Sequence, residues 1–204
     1  MNDIRLSNCP ECGTELRLVQ GRWICPRCDY YKLSYQHEWD RHHQNVKALA
    51  VEIKARFPQV SLSPGLGADS AEWIDIPPGK KNEPDIEVWL NRRHVLSIEV
   101  TGSGKALVPP EPIFILPKKL AMGEKSLHQG IDYLFYTVYP NNTFTVTVPI
   151  VSACRRNIGP GGRLPGERYI KIPFERALSR EEVFRHLQVI LAPLYPQMRL
   201  EEVI

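Results

Sequence analysis

Four cysteines in the opening segment constrain this chain more than any other feature. They stand as Cys9-Pro-Glu-Cys12 and Cys25-Pro-Arg-Cys28, two CxxC pairs with twelve residues between them, while Cys154 stands alone. A two-residue gap lets both thiolates of a pair turn onto one ion, and two such pairs supply the four sulfurs of a closed tetrahedral zinc site. Four thiolates leave no open position for water, so a zinc ion held this way is structural. Two disulfides are the rival use of the same residues. Metal is favoured by the regular spacing and by a cytoplasmic setting. That setting is the expectation because no apolar run approaches the ~20 residues needed to cross a bilayer, and the start MNDIRLSNCPEC lacks the apolar stretch of a secretory signal.

The residues between the pairs run from Thr14 to Ile24, and Gln20-Gly21 sits between two apolar stretches in the manner of a hairpin turn. With its thiolates, the segment 1–33 resembles a zinc ribbon. Arg17, Arg22, Arg27 and Lys32 with Trp23, Tyr30 and Tyr31 give its outer surface the cations and rings of a nucleic-acid contact. They suit equally a solvated face whose aromatics close a very small core.

The remaining residues, 34–204, form the second predicted domain. At 204 residues, 43% hydrophobic and 24% charged, the chain has enough apolar material for a core, which excludes disorder and collagen. Twenty-six basic against twenty-three acidic side chains give a net charge of +3, which permits a nucleic-acid partner through local patches without arguing for one. The 18 prolines and 13 glycines fall mostly after Phe57, so helices should be few. One is predicted from about His37 to Phe57, where Val46, Leu49, Ala50, Ile53 and Phe57 recur at helical spacing and Pro58 closes the run. His42 and His43 flank its buried stripe, with Glu38 and Glu52 to the side. A histidine at such a margin more often packs or hydrogen-bonds than binds metal.

The middle of the chain carries the chemistry. Pro84 to Leu90 and Val95 to Thr101 alternate aliphatic with acidic or polar residues across Asn91-Arg92-Arg93-His94, a strand, a turn and a strand. Ile86, Val88, Leu90, Leu96, Ile98 and Val100 share one face, leaving Asp85, Glu87, Glu99 and Thr101 on the other. Acids gathered on one side of paired strands repel unless a cation neutralises them, which points to a hard divalent ion such as Mg²⁺ or Mn²⁺. An edge hairpin with solvated acids shows the same alternation.

A Pro-Asp pair followed ten to twenty residues later by an acid in a hydrophobic strand resembles the signature of the PD-(D/E)XK nuclease superfamily, which includes restriction endonucleases and archaeal Holliday junction resolvases. Pro84-Asp85 corresponds to its PD and Glu99-Val100-Thr101 to its (D/E)XK. The likeness covers about residues 38–150. It takes in a proline-punctuated helical stretch from Lys118 to His128 and two strand-like runs, Tyr133 to Tyr139 and Thr143 to Val148, joined by the turn Pro140-Asn141-Asn142. The resemblance implies an α/β restriction-endonuclease-like mixed sheet flanked by helices, and a metal-dependent endonuclease acting on DNA. It implies Asp85 and Glu99 as the ligands of Mg²⁺ or Mn²⁺, with Glu38 or Glu52 as a further contact, and a homodimer for paired cuts. Where the family has lysine this chain has Thr101, which offers no positive charge. Lys105, Lys118 and Lys119 are the candidates to replace it. The alternative is a nuclease-fold DNA-binding or adaptor protein that lost catalysis with the lysine; a protein-interaction platform is a third reading.

Arg155, Arg156, Arg163 and Arg168 lie in a glycine-rich stretch that reads as a long loop, either gripping phosphate through arginine forks or simply solvated. A strand is expected at Tyr169 to Ile172. Ser179-Arg-Glu-Glu182 has the pattern of a capping box, opening a helix with Val183, Leu187 and Ile190 inward.

Overall fold

Three short strands lie between and beyond the cysteine pairs in the computed structural model, which describes residues 8–9, 12–19, 22–28, 31–33, 36–65, 84–160 and 168–193. They are β1 (Arg17–Val19), β2 (Arg22–Ile24) and β3 (Tyr31–Leu33), antiparallel in that order. Val19 stands opposite Arg22, as a two-residue hairpin requires; the predicted turn residues Gln20 and Gly21 lie outside the described set. These strands belong to a unit spanning Met1–His42. Its core among the described residues is Cys9, Leu16 and Cys25 with Cys28 packed against them. A core centred on thiols is of the kind that a bound metal holds together.

The second unit, His43–Ile204, is built on a six-stranded mixed sheet. Helix α1 (Gln36–Arg56) leads into it, followed by β4 (Ser61–Pro64), β5 (Ile86–Leu90), β6 (Arg93–Gly102), β7 (Ile113–Ile115) and α2 (Pro117–His128). Then come β8 (Asp132–Tyr139), β9 (Asn142–Thr147), α3 (Val148–Ala153), β10 (Ile158–Pro160), β11 (Arg168–Ile172), β12 (Leu178–Ser179) and α4 (Glu182–Leu191). The large sheet runs β12-β9-β8-β6-β5-β4 with one parallel pair, β6 and β8; a smaller sheet runs β10-β11-β7. The parallel pair needs a crossover, and β7 with α2 provides it.

Alternation along the strands sends two different sets of side chains to the two faces. Ile86, Val88, Leu96, Ile98, Val100, Leu134 and Tyr136 pack with Val46, Leu49, Ala50 and Ile53 of α1 and with Val183, Phe184 and Leu187 of α4. On the opposite face Tyr133, Phe135, Phe144 and Val146 meet Leu120 of α2, Val148 and Val151 of α3, and the small sheet's Ile113, Ile115, Ile170 and Ile172. No described helix is long and apolar enough to cross a membrane.

Three details depart from the sequence reading. The β5–β6 connection is only Asn91-Arg92, both with positive φ (49° and 66°), so Arg93 and His94 already belong to the strand. The glycine–arginine stretch is not one continuous loop, because Ile158–Pro160 pairs with β11; residues 161–167 lie outside the described set. The capping box does not form either: Ser179 pairs with Phe144 as part of β12, and Glu181 caps α4 without a side-chain bond. The strand's demand for Ser179 competes with the cap and wins.

Candidate active site

Asp85 sits at the mouth of β5. The Gly65 N–H donates to the Asp85 carbonyl at 2.9 Å, and a Cβ at Gly65 would lie 1.8 Å from the Pro84 carbonyl oxygen. Only glycine lets the end of β4 close over this peptide. Asp85 Oδ2 accepts the Val100 N–H at 2.8 Å. One step beyond the Ile86–Ile98 pair, the antiparallel register sets Asp85 opposite Glu99. Both acids are buried, at 6% and 4% exposure.

Buried carboxylates need a compensating charge and hydrogen bonds to stay ionised. Lys119, in the first turn of α2, forms an ion pair with Glu99 Oε1; its side chain is 27% exposed and that of Glu99 6%. The Tyr133 hydroxyl donates to Glu99 Oε2 at 3.4 Å. Tyr133 reaches this face through the parallel register that pairs it with Ser97 and pairs Phe135 with Glu99. Its phenol is pushed far above the usual tyrosine range, first by burial and then by the negative charge of Glu99 and of Asp85. Both carboxylates thus lie within electrostatic reach of this one hydroxyl.

The approach of α2 depends on a small residue. A Cβ on Gly123 would lie 2.6 Å from Val148 Cγ2 and 3.1 Å from Tyr133 Cδ1. Gly123 is one turn after Lys119 on the same side of the helix, so the contact that seats the helix on Tyr133 also sets the height of the lysine over Glu99.

The other candidates are placed elsewhere. Thr101 is half-buried, two residues beyond Glu99 on the same face and paired with Thr137; Lys105 and Lys118 are exposed. Glu87 accepts a hydrogen bond from Trp89 Nε1 at 3.2 Å. Glu52 is not brought to the acid pair. It projects from α1, which packs on the opposite face of the sheet, and its carboxylate takes Arg56 at 2.7 Å together with Arg180. The Glu38 side chain and Arg163 lie outside the described residues. Arg155 is committed to Glu124, which Ser152 also bonds at 2.8 Å, whereas Arg156 and Arg168 are exposed. Sequence reasoning passes over Tyr133 and Gly123. The signal available for Tyr133 is its place in the same alternating series as Phe135 and Thr137.

The four N-terminal thiols form a second constellation. Among the described residues they are the one group of three or more His, Cys, Asp or Glu side chains whose ligand atoms all lie within 4.8 Å of one another. No disulfide joins them. Sulfur separations are 3.4 Å for Cys12–Cys25, 3.5 Å for Cys9–Cys28 and 3.8 Å for Cys12–Cys28. A tetrahedron with metal–sulfur bonds of ~2.3 Å has sulfurs ~3.8 Å apart, so the arrangement can hold a metal ion. The Arg27 N–H points at Cys25 Sγ at 3.3 Å, and Gly13, at φ 71°, closes the first pair's turn through its N–H to the Cys9 carbonyl. Hydrogen bonding from the Thr14 hydroxyl and backbone, and then from Cys25, lowers the Cys12 thiol to about 6, which favours the thiolate that a metal needs.

No protein-family model matches this sequence, and no curated protein does. Among solved structures, the chain is similar to the Holliday junction resolvase Hjc of the archaeal hyperthermophile Archaeoglobus fulgidus, with TM-score 0.41 and 16% identity over 71% of this chain and 98% of that one. It is also similar to a nuclease from a fusselovirus, with TM-score 0.49 and 13% identity over 79% of this chain and 96% of that one.

Proposed function

We propose that the second unit is a metal-dependent endonuclease of restriction-endonuclease-like type that hydrolyses phosphodiester bonds of DNA, and that the first unit is a zinc ribbon. The observation that carries the reading is the Lys119 ammonium seated on buried Glu99, with buried Asp85 on the neighbouring strand. The donor set suits a hard ion, since the ligands are carboxylate oxygens and a stand-in cation already sits on Glu99. Asp85 and Glu99 would hold Mg²⁺ or Mn²⁺, which when bound supplies an activated water and offsets charge developing on the phosphate.

The chain's own residues do the rest. Lys119 brings the positive charge that Thr101 lacks, on a stem flexible enough to turn its three donors toward a phosphate oxygen or an attacking water. The Val100 N–H and the Tyr133 hydroxyl bond Asp85 and Glu99 and hold the two carboxyl groups in place. Exposed Arg156 and Arg168 are available to the DNA backbone, while Arg155 is neutralised by Glu124.

Cleavage of duplex, branched and single-stranded DNA with Mg²⁺ or Mn²⁺ tests this. Asp85→Asn, Glu99→Gln and Lys119→Met should each lower the rate by about a hundredfold or more. Equal cleavage by wild type and the two acid variants rejects the reading.

A further inference from the structure

We propose that Lys119 is the resident cation of the site, and that a divalent ion must displace it from Glu99 in order to bind. This rests on Asp85 and Glu99 being the ion's ligands. Glu99 is 4% exposed, and an ionised carboxylate so buried stays in the fold only with a partner. Its Oε1 carries Lys119 and its Oε2 faces the Tyr133 hydroxyl, while Asp85 Oδ2 is tied to a backbone N–H.

A divalent ion that takes Glu99 meets the ammonium on the same carboxylate, where two positive groups a few ångströms apart repel strongly in a water-poor setting. Of these two donors, the lysine is the one that can leave. Tyr133 is 2% exposed and packed against Gly123 of α2, whereas the Lys119 side chain is 27% exposed on a four-carbon stem that swings without moving its helix. Loading therefore releases the ammonium toward the mouth of the pocket, where a phosphate can take it. The same lysine restrains the empty site and serves the filled one.

The test is Mn²⁺ binding to the full chain, purified with zinc in the medium and without nucleic acid, followed by the loss of the free-Mn²⁺ electron paramagnetic resonance signal. Lys119→Met, which keeps the apolar stem and removes the charge, should bind Mn²⁺ about tenfold more tightly than wild type. Lys119→Arg, which keeps the charge, should bind no more tightly than wild type. Equal or weaker binding by Lys119→Met overturns displacement and leaves the ion site standing. Failure of wild type and Lys119→Met alike to bind, or binding undiminished in Glu99→Gln, overturns the ion site and displacement together.

Discussion

Each oxygen of Glu99 answers to a different donor, and the two donors differ in kind. Lys119 contributes charge, and Tyr133 contributes direction. Tyr133→Phe should leave the fold in place, lower stability by about 1–2 kcal/mol, and slow cleavage by about three- to tenfold, because the carboxylate loses its aim while keeping its cation. Thermal melts beside cleavage rates check this; an unchanged rate would show that the hydroxyl does nothing for Glu99. Tyr139 gives a prediction in pH. Burial first, and then the negative charge of Glu111, pushes its phenol from 10.0 up to about 12. Below pH 10 both folded and unfolded chains hold this proton, and stability is unaffected. Between pH 10 and about 12 the unfolded chain releases it and the folded chain does not, so stability falls with rising pH, by on the order of 2 kcal/mol. Urea unfolding at about pH 9 and about pH 11 should show a flatter decline for Tyr139→Phe. Of the side chains at the site, Asp85 and Glu99 are legible in the sequence because alternation alone assigns them to one face. Lys119 is legible only as one of three, since choosing among lysines requires knowing how far a helix stands from a sheet. Tyr133 reads in sequence as one more aromatic in an apolar strand.

Helix α2 is seated through a residue that disfavours helices. Glycine inside a helix costs about 1 kcal/mol relative to alanine, so Gly123→Ala should stabilise an isolated helix. Here the added methyl meets Val148 and the Tyr133 ring, and buried Val148 has little room to give. Overpacking costs about 1–3 kcal/mol, so we expect a net fall in melting temperature, together with a loss of cleavage larger than the lost stability explains, as α2 carries Lys119 out of reach of a phosphate at the acid pair. A variant with a higher melting temperature and full activity would refute the seating role. The long elements α1, β5, β6 and α4 are readable from periodicity, and α2, β8 and β9 as the helical and strand-like runs that the resemblance takes in. The short strands β4, β7, β10 and β12 are not. They span two to four residues, β4 and β10 contain proline, and each forms against the edge that a partner strand offers.

At the scale of the whole molecule, the two units rest on different physics. Among its described residues the first has a core gathered around its thiols, so a strong chelator should release a single zinc ion per chain and unfold that unit, while the second keeps its secondary structure. Circular dichroism with a colorimetric zinc reading would check this, and a first unit that stays folded without metal would count against it. The CxxC spacing makes this unit legible in the sequence; the sizes of the two cores are not, because burial depends on which faces meet.

In the second unit, the acids and the lysine are anchored by different forces. Asp85 and Glu99 belong to a hairpin locked by a backbone ladder, and Lys119 rides on α2, which meets the large sheet through side-chain contact. Whatever loosens that contact, be it pressure, an oversized methyl or a neighbour leaning on the helix, would silence the pocket without disturbing its geometry of oxygens. That helix is thus the natural place for this molecule to be throttled.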